Sequence, residues 1–375
     1  MKNIKILEYN AFNSSLESYW NKIANFSNHS CFQSYDWCFN WYINVGINRD
    51  IDLKIIVVIE NDRPIMLLPF VIEKSLFLKK LKFISYDLAD YTNIIYLDTL
   101  SQKKISSVFD FCIGSINGFD ILIFDKVPSL INLKKNLFIN SFIKKKRGVS
   151  YQMLLPNNKD DLSKIIKKKV FSDTKRQIRR LRNDYNVKFN FVSNLHDIDT
   201  SLLDEFINQK RARFNSTGAK DIFNDIIIQN FYKNYYAKFS NVNLHFSWLT
   251  ANNEVIATHW GVTKDDCFYF LVPTFSSSKW NKYSPGKILL QNLLEWSIDN
   301  NFSVFDFTIG AENYKKVYCN SKFELFHFVK FVSFKSHLLW LYYKFVDFAY
   351  NSNKVKSYII FLIQTKNKLI NGFKK

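Results

Sequence analysis

Between Lys279 and Tyr318 the chain carries, in order, Ser284-Pro285-Gly286-Lys287, the apolar run Val304-Phe305-Asp306-Phe307 and Asn313-Tyr314-Lys315-Lys316. That order suits an anion-binding loop beside a reactive cleft. Pro285 presets the φ of a first helical turn and lacks the amide that such a position leaves unpaired, while Gly286 lets a ligand approach the backbone closely. The amides behind them and the positive end of the helix dipole, about half a charge, favour phosphate or another anion. His259, on the strand-like run Val255–Gly261, offers an imidazole that titrates near neutral pH and is a candidate general base. Its ordinary role would be structural. Asp306 is a second candidate base, with the alternative of orienting a neighbouring backbone or the lysine pair.

Taken together, Tyr283-Ser284-Pro285-Gly286-Lys287, the strand end Asp306-Phe307…Gly310 and Tyr314-Lys315 resemble the CelD-like branch of the GNAT acyltransferase superfamily, whose members are similar to FemAB-type transferases in carrying two GNAT-like halves. Weaker echoes are Phe32-Gln33-Ser34…Trp37, Asp90-Tyr91 and the basic run Lys175–Arg180. The resemblance implies an enzyme that moves an acetyl or other acyl group from acyl-CoA to an amino group of a sugar nucleotide or glycan precursor, in surface polysaccharide biosynthesis. The donor's pyrophosphate would lie on the loop Lys282, Tyr283, Ser284, Gly286 and Lys287, although this loop lacks the fuller glycine-rich pattern of ordinary GNAT enzymes. The strand Phe268–Val272 would splay open so that its free amides meet the thioester carbonyl, a contribution of about 3 kcal/mol per donor in acyl transfer. Lys315 would stabilise the oxyanion or an acceptor phosphate and Tyr314 would protonate the leaving group; the plainer reading is a surface lysine beside a packed tyrosine. Asp90 and Tyr91, facing the groove between the halves, and Arg211 and Arg213, at a helix end, are candidate acceptor-binding residues. Solvated helix-end charges are the alternative for the two arginines.

Two other functions compete. One is FemAB-like transfer from aminoacyl-tRNA, favoured by charge but without the long helical arm several such enzymes carry. The other is a non-catalytic basic protein of transferase-like fold that binds a membrane surface or nucleic acid.

Composition bounds these readings. Lysine and arginine total 52 against 33 acidic residues, a net charge of +19 that attracts anionic partners without choosing among them. Cys31, Cys38, Cys112, Cys267 and Cys319 are odd in number and never spaced Cys-x-x-Cys, which argues against a disulfide framework or a zinc site and for a reducing cytoplasm. No signal peptide and no spanning apolar run is evident, so a cytoplasmic protein, peripheral at most to the inner membrane, is expected. Catalytic triads, P-loops and dinucleotide fingerprints are likewise missing.

The elements that must position the loop follow from periodicity. At 375 residues the chain suits two α/β (α+β) domains, each a mixed, mostly antiparallel sheet flanked by helices. We place the first over 1–150, ending at the charge run Lys144–Gly148, the second over 151–333, and a basic aromatic helical tail over 334–375 that either packs on the second domain or lies on anionic membrane. Trp37, Trp41 and Val45 make a helical stripe, Leu53–Ile59 and Pro64–Ile72 read as strands around Asn61-Asp62-Arg63, and a strand near Ile94–Leu97, a helix near Ile105–Ile113 and a strand Asp120–Phe124 follow. In the second half, helices are expected over Leu162–Tyr185, with Lys168, Lys175, Arg176, Arg179 and Arg182 outward, over Ser201–Phe214 and over Phe223–Phe239. Three strands, Asn243–Thr250, Val255–Thr263 and Cys267–Pro273, then precede the loop, the helix Ile288–Ile298 and the strand Ser303–Phe307.

Overall fold

Alternating apolar residues in the first half build an antiparallel meander of β1 (Ile4–Tyr9), β2 (Asp52–Glu60), β3 (Arg63–Lys74) and β4 (Lys79–Phe83). The computed structural model describes residues 3–338 and 341, apart from 76, 143, 277–278 and 311. Asn61 and Asp62 make the expected β2–β3 turn at φ 48° and 61°, the left-handed geometry that Asn and Asp tolerate. β5 (Ile95–Tyr96) adds to β3, and β6 (Ile121–Pro128) pairs parallel with β4. Helices α1 (Ser14–Ala24), α2 (Tyr35–Trp41) and α3 (Gln102–Ser115) connect these strands; a small hairpin, β7 (Leu130–Ile131) with β8 (Lys134–Lys135), leads to β9 (Lys145–Leu154).

The second half repeats the plan. After α4 (Leu162–Ile165) and α5 (Lys168–Asp184) come β10 (Val187–Val192), α6 (Thr200–Thr217) and α7 (Ile226–Lys233). An antiparallel series then joins β10 to β11 (Val242–Ala251), β12 (Glu254–Lys264) and β13 (Cys267–Phe275). Helix α8 (Pro285–Asp299) crosses to β14 (Val304–Ile309), parallel to β13, and α9 (Lys315–Tyr318) leads into β15 (Ser321–Phe331).

All but the small hairpin join one thirteen-stranded sheet among the described residues, in the order β1-β2-β3-β4-β6-β15-β9-β14-β13-β12-β11-β10 with β5 attached to β3. Three antiparallel steps followed by a parallel one occur from each edge inward, so the sheet is built from two copies of one motif. Each half lends a strand to the other: β15 lies against β6 of the first half, and β9 lies against β14 of the second. The Lys144–Gly148 run, read from sequence as a break, enters β9 at the centre of this exchange.

Helices α1, α2, α6 and α7 share a core on one face of the sheet. There Trp37 meets Phe231 and Trp260 at ring distances of 5.3 and 6.2 Å, across the halves. Asp36 of α2, fully buried, accepts amide hydrogens from Lys238, Phe239 and Ser240 of the second half at 2.8–3.2 Å, fixing the two halves together. On the opposite face α3 covers the first half, and α5 with α8 covers the second. The helix expected over Leu162–Tyr185 breaks at Ile166, which is extended (ψ 135°), and the one expected to reach Phe239 ends at Lys233. β1, β4, β10, β15 and α1 were not legible from periodicity. Residues 334–338 and 341 of the expected tail are helical, and the remainder of that tail lies outside the described residues. No helix among the described residues is long and apolar enough to cross a membrane.

Candidate active site

β13 and β14 are paired only from Cys267–Tyr269 to Val304–Asp306. Beyond that, β13 continues beside β12 to Phe275, while β14 turns toward β9, pairing Ile309 with Ser150 after a bulge. Two adjacent parallel strands thus diverge into a V. Backbone groups on its inner edges have no ladder between them, so each needs a side chain or a ligand as its partner.

Asp306 sits at the apex of the V and is 1% exposed. Its carboxylate accepts from Tyr91 Oη (2.7 Å), Gln152 Nε2 (2.9 Å) and the amide of Thr308 (2.7 Å), and Tyr91 Oη also meets Ser150 Oγ at 2.5 Å. Burial raises Asp306 to about 6 against the pull of these donors, with Asp90 nearby adding to the rise. With three donors engaged, Asp306 holds Thr308 in its bulge at φ 58° and ties β14 to Tyr91 of the first half. The backbone-orienting alternative for Asp306 is the one this geometry carries.

On the β14 lip, Lys315 is buried and donates to Ile309 O (2.8 Å) and Thr308 O (3.4 Å), with Glu312 Oε2 at 3.1 Å. Three partners occupy its three N–H groups, so its first task is to shape the strand end. Asp90 reaches the same lip from the first half: it is half-buried, hydrogen-bonded to the Thr308 side chain and within the fields of Lys126, Lys315 and Glu312, and burial raises its pKa. Tyr314 is 39% exposed beside Phe307, and burial of its hydroxyl end keeps it protonated. On the β13 lip, α6 brings Lys210, whose Nζ donates to Pro273 O at 3.3 Å, and Arg213, whose guanidinium lies 5.0 Å over the Phe275 ring.

The V opens toward the N-terminus of α8. Ser284 precedes the helix at φ 55°, ψ 56°, and Pro285 takes the first helical position. The amides of Lys287 and Ile288 both bond Ser284 O (2.9 and 3.3 Å), so among the described residues Gly286 keeps the free first-turn amide, fewer than the loop's sequence promises. The missing side chain at Gly286 also serves packing, since a Cβ there would lie 2.8 Å from Phe275 Cδ1. Tyr283 is 1% exposed and donates to Asp184 Oδ2 (2.5 Å): it anchors the loop to α5 and does not face a ligand. Lys282 is exposed above the Tyr283 ring, while Lys287 faces α5 and pairs with Asp173 at 3.3 Å. Lys169, Ser172, Arg176, Arg179 and Lys287 line a groove of about 530 Å³ there, so part of the basic run does converge on this loop.

Two candidates lie elsewhere. His259 is fully buried on the α8 face of β12, stacked 4.7 Å from Phe270 and 5.6 Å from Phe268, with neither ring nitrogen hydrogen-bonded among the described residues. Burial drives it strongly toward the neutral form, and the fields of His245 and Lys210 add to this. The strand expectation holds, but alternation turns this side chain into the core, so the expected place beside the cleft is not where it lies. Arg211 is held by Asp221 (3.0 Å) and Asn224 (3.1 Å), away from the V. The structure therefore gathers Asp90, Tyr91, Arg213, Asp306, Tyr314 and Lys315 about the V and sets His259, Arg211 and Tyr283 apart. Lys210 escaped notice as a site residue. The available signal for Lys210 was a lysine on the apolar stripe Leu203, Phe206, Ile207 and Phe214 of α6.

Residues 168–316 match the acetyltransferase (GNAT) domain family, a span that contains α5, β10 to β14 and both lips of the V. Among solved structures the fold is similar to FemX, at 10% identity and a TM-score of 0.60 over 86% of this chain and 97% of that one. It is also similar to L-PGS from Bacillus licheniformis, at 10% identity and a TM-score of 0.52 over 88% and 95%. A protein of unknown function from Bacteroides thetaiotaomicron gives 14% identity and a TM-score of 0.51 over 86% and 99%. No curated protein matches the chain significantly in sequence. Residues 168–316 thus carry a GNAT-type acyltransferase domain, a domain type that works on an acyl-CoA and an amine.

Proposed function

We propose that the protein is an N-acyltransferase of CelD-like kind that moves an acetyl or similar acyl group from acyl-CoA to the amino group of a sugar nucleotide or glycan precursor. The observation that carries this reading is the V between β13 and β14, with a cationic lip on each side and α8 opening at its mouth. A thioester carbonyl laid in the V would meet the strand amides that lack a ladder there, and developing negative charge on its oxygen would be met by preorganised donors. The diphosphate of the donor suits the Gly286 amide, Lys287 and the groove cations Lys169, Arg176 and Arg179. An acceptor would enter from the first-half side, between Asp90, Arg213 and Tyr314. Asp90 and Glu312 could hold its ammonium, Arg213 a phosphate, and Tyr314 could donate to the departing thiolate. Asp306, Tyr91 and Lys315 keep the lips in register.

Transfer from an aminoacyl-tRNA is a second reading, favoured by the groove's cations and their neighbours along α5, which would also suit a polynucleotide. Acetyl-CoA incubated with a panel of amino sugars and their nucleotide-linked forms, monitored for thiol release and acylated product, tests the first reading. Turnover that needs added tRNA and is abolished by ribonuclease would favour the second. Surface polysaccharide synthesis and contact of the tail with anionic membrane remain part of the proposal, and genetic neighbours and vesicle sedimentation of the full chain test them.

A further inference from the structure

We propose that Lys210 is the base that takes the proton from the acceptor's ammonium, an assignment that rests on the acyl-transfer reading above. The V has two lips, and a lysine is tied to a strand-end carbonyl on each: Lys315 to Ile309 O and Lys210 to Pro273 O. The two differ in what is left over. Lys315 has a partner for each N–H, whereas Lys210 has Pro273 O as its one hydrogen-bond acceptor among the described residues. The Lys210 side chain emerges from the buried stripe of α6, and its Nζ lies 5.1 Å over the Phe214 ring, so its head is offered to the V from an apolar wall. Asp306 has its donors in place and His259 lies in the core, which leaves Lys210 as the amine on this lip that can exchange a proton with an incoming one.

The electrostatics agree. Burial lowers Lys210 to about 8; Arg213 on its own helix and Lys315 across the V push the same way, and Glu312 opposes them. His259, behind it on β12, is neutral and contributes no charge. On the order of a tenth of Lys210 is then free base at pH 7.

Lys210 as free amine removes one proton from R–NH3⁺. The resulting lone pair forms the C–N bond at the thioester carbon, and the C–S bond breaks as the tetrahedral adduct collapses. Tyr314 protonates the departing thiolate, giving CoA thiol, and recovers its proton from the adduct nitrogen, while Lys210 returns the first proton to solvent. One amide, one thiol and one proton are the products.

The full-length chain and its Lys210→Met and Lys210→Arg variants would be compared with acetyl-CoA and whichever panel amine the wild type acylates. Expected are a wild-type kcat/KM that rises with pH through about 8, loss of that limb and a roughly 10²–10³-fold fall in kcat in both variants, and acetyl-CoA affinity within about threefold of wild type. Dinitrofluorobenzene labelling of the wild type, resolved by mass spectrometry, needs no acceptor and should modify Lys210 through the same pH range, ahead of exposed lysines. Variants that keep the limb and the rate, or a Lys210 that labels like a surface lysine, overturn the assignment. A wild type that releases no CoA with any amine sinks the acyl-transfer reading and this assignment with it, whereas turnover untouched by either substitution sinks this assignment alone.

Discussion

Asp306 joins β9, β14 and the first half through one buried carboxylate. It gathers three donors, and a neutral small residue would strand all three. Each unsatisfied buried donor costs about 1–3 kcal/mol. Asp306→Ala should therefore destabilise the protein by roughly 3 kcal/mol or more in urea denaturation. Asp306→Asn should cost about 1 kcal/mol, because Gln152 can flip its amide and present Oε1, which is buried without a partner, to the new NH2 group. Equal losses for the two would show that the network does not set the stability. Sequence pointed to Asp306, Tyr314 and Lys315 through their order after the loop. It could not reveal that Lys315 is buried and saturated, because two of its three partners are backbone carbonyls, which every residue carries.

At the scale of elements, the turn into α8 sits at the mouth of the V. Ser284 holds a left-handed conformation that costs a non-glycine residue roughly 1 kcal/mol, so Ser284→Gly should raise stability by up to about that amount if the loop keeps its shape. Gly286→Ala should act differently. The added methyl would press on the Phe275 ring and shift the Gly286 amide assigned to the donor's diphosphate, so a several-fold loss of acetyl-CoA affinity with little change in fold is expected by calorimetric titration. Unchanged affinity would detach the Gly286 amide from the donor site. β2, β3, β11, β12 and β13 were legible as apolar runs rich in β-branched and aromatic residues, bounded by polar turns, and α8 by its apolar stripe after Pro285. β9 was not, since its first three residues, Lys145, Lys146 and Arg147, are exposed and read as a solvated charge run. β15 alternates only at its start, where Phe323 and Leu325 are buried between exposed neighbours. From Phe326 through His327 to Val329 every residue is half-buried, which blurs the period.

For the whole molecule, buried histidines set the response to acid. Burial lowers His29 and His245 to about 3 from 6.5, and His259 shifts the same way. The unfolded chain then binds more protons below pH 6.5, so stability is lost as pH falls from about 6.5 toward 3, by up to about 1.4 kcal/mol per unit for each group. Asp306 works in the opposite sense: with a folded value of about 6 against 3.8, its contribution grows as pH falls between those limits and offsets one histidine. The urea midpoint should accordingly fall between pH 7 and 5, and a flat or rising midpoint would contradict the burial of these rings. The exchange of β9 and β15 makes a second prediction. Segments 1–156 and 157–375, cut after β9, should each lack cooperative unfolding when produced separately and regain it when mixed, as followed by circular dichroism. Independent cooperative transitions would instead mark two self-sufficient domains.

That exchange also orders events at the ribosome. The strand that seals β6 is β15, which begins at Ser321, roughly 200 residues after β6 ends. At typical synthesis speeds the nascent first half carries an open edge for on the order of 10–40 s, long enough for unwanted pairing with other chains. Efficient production in cells should then depend on chaperones that cover that edge during translation.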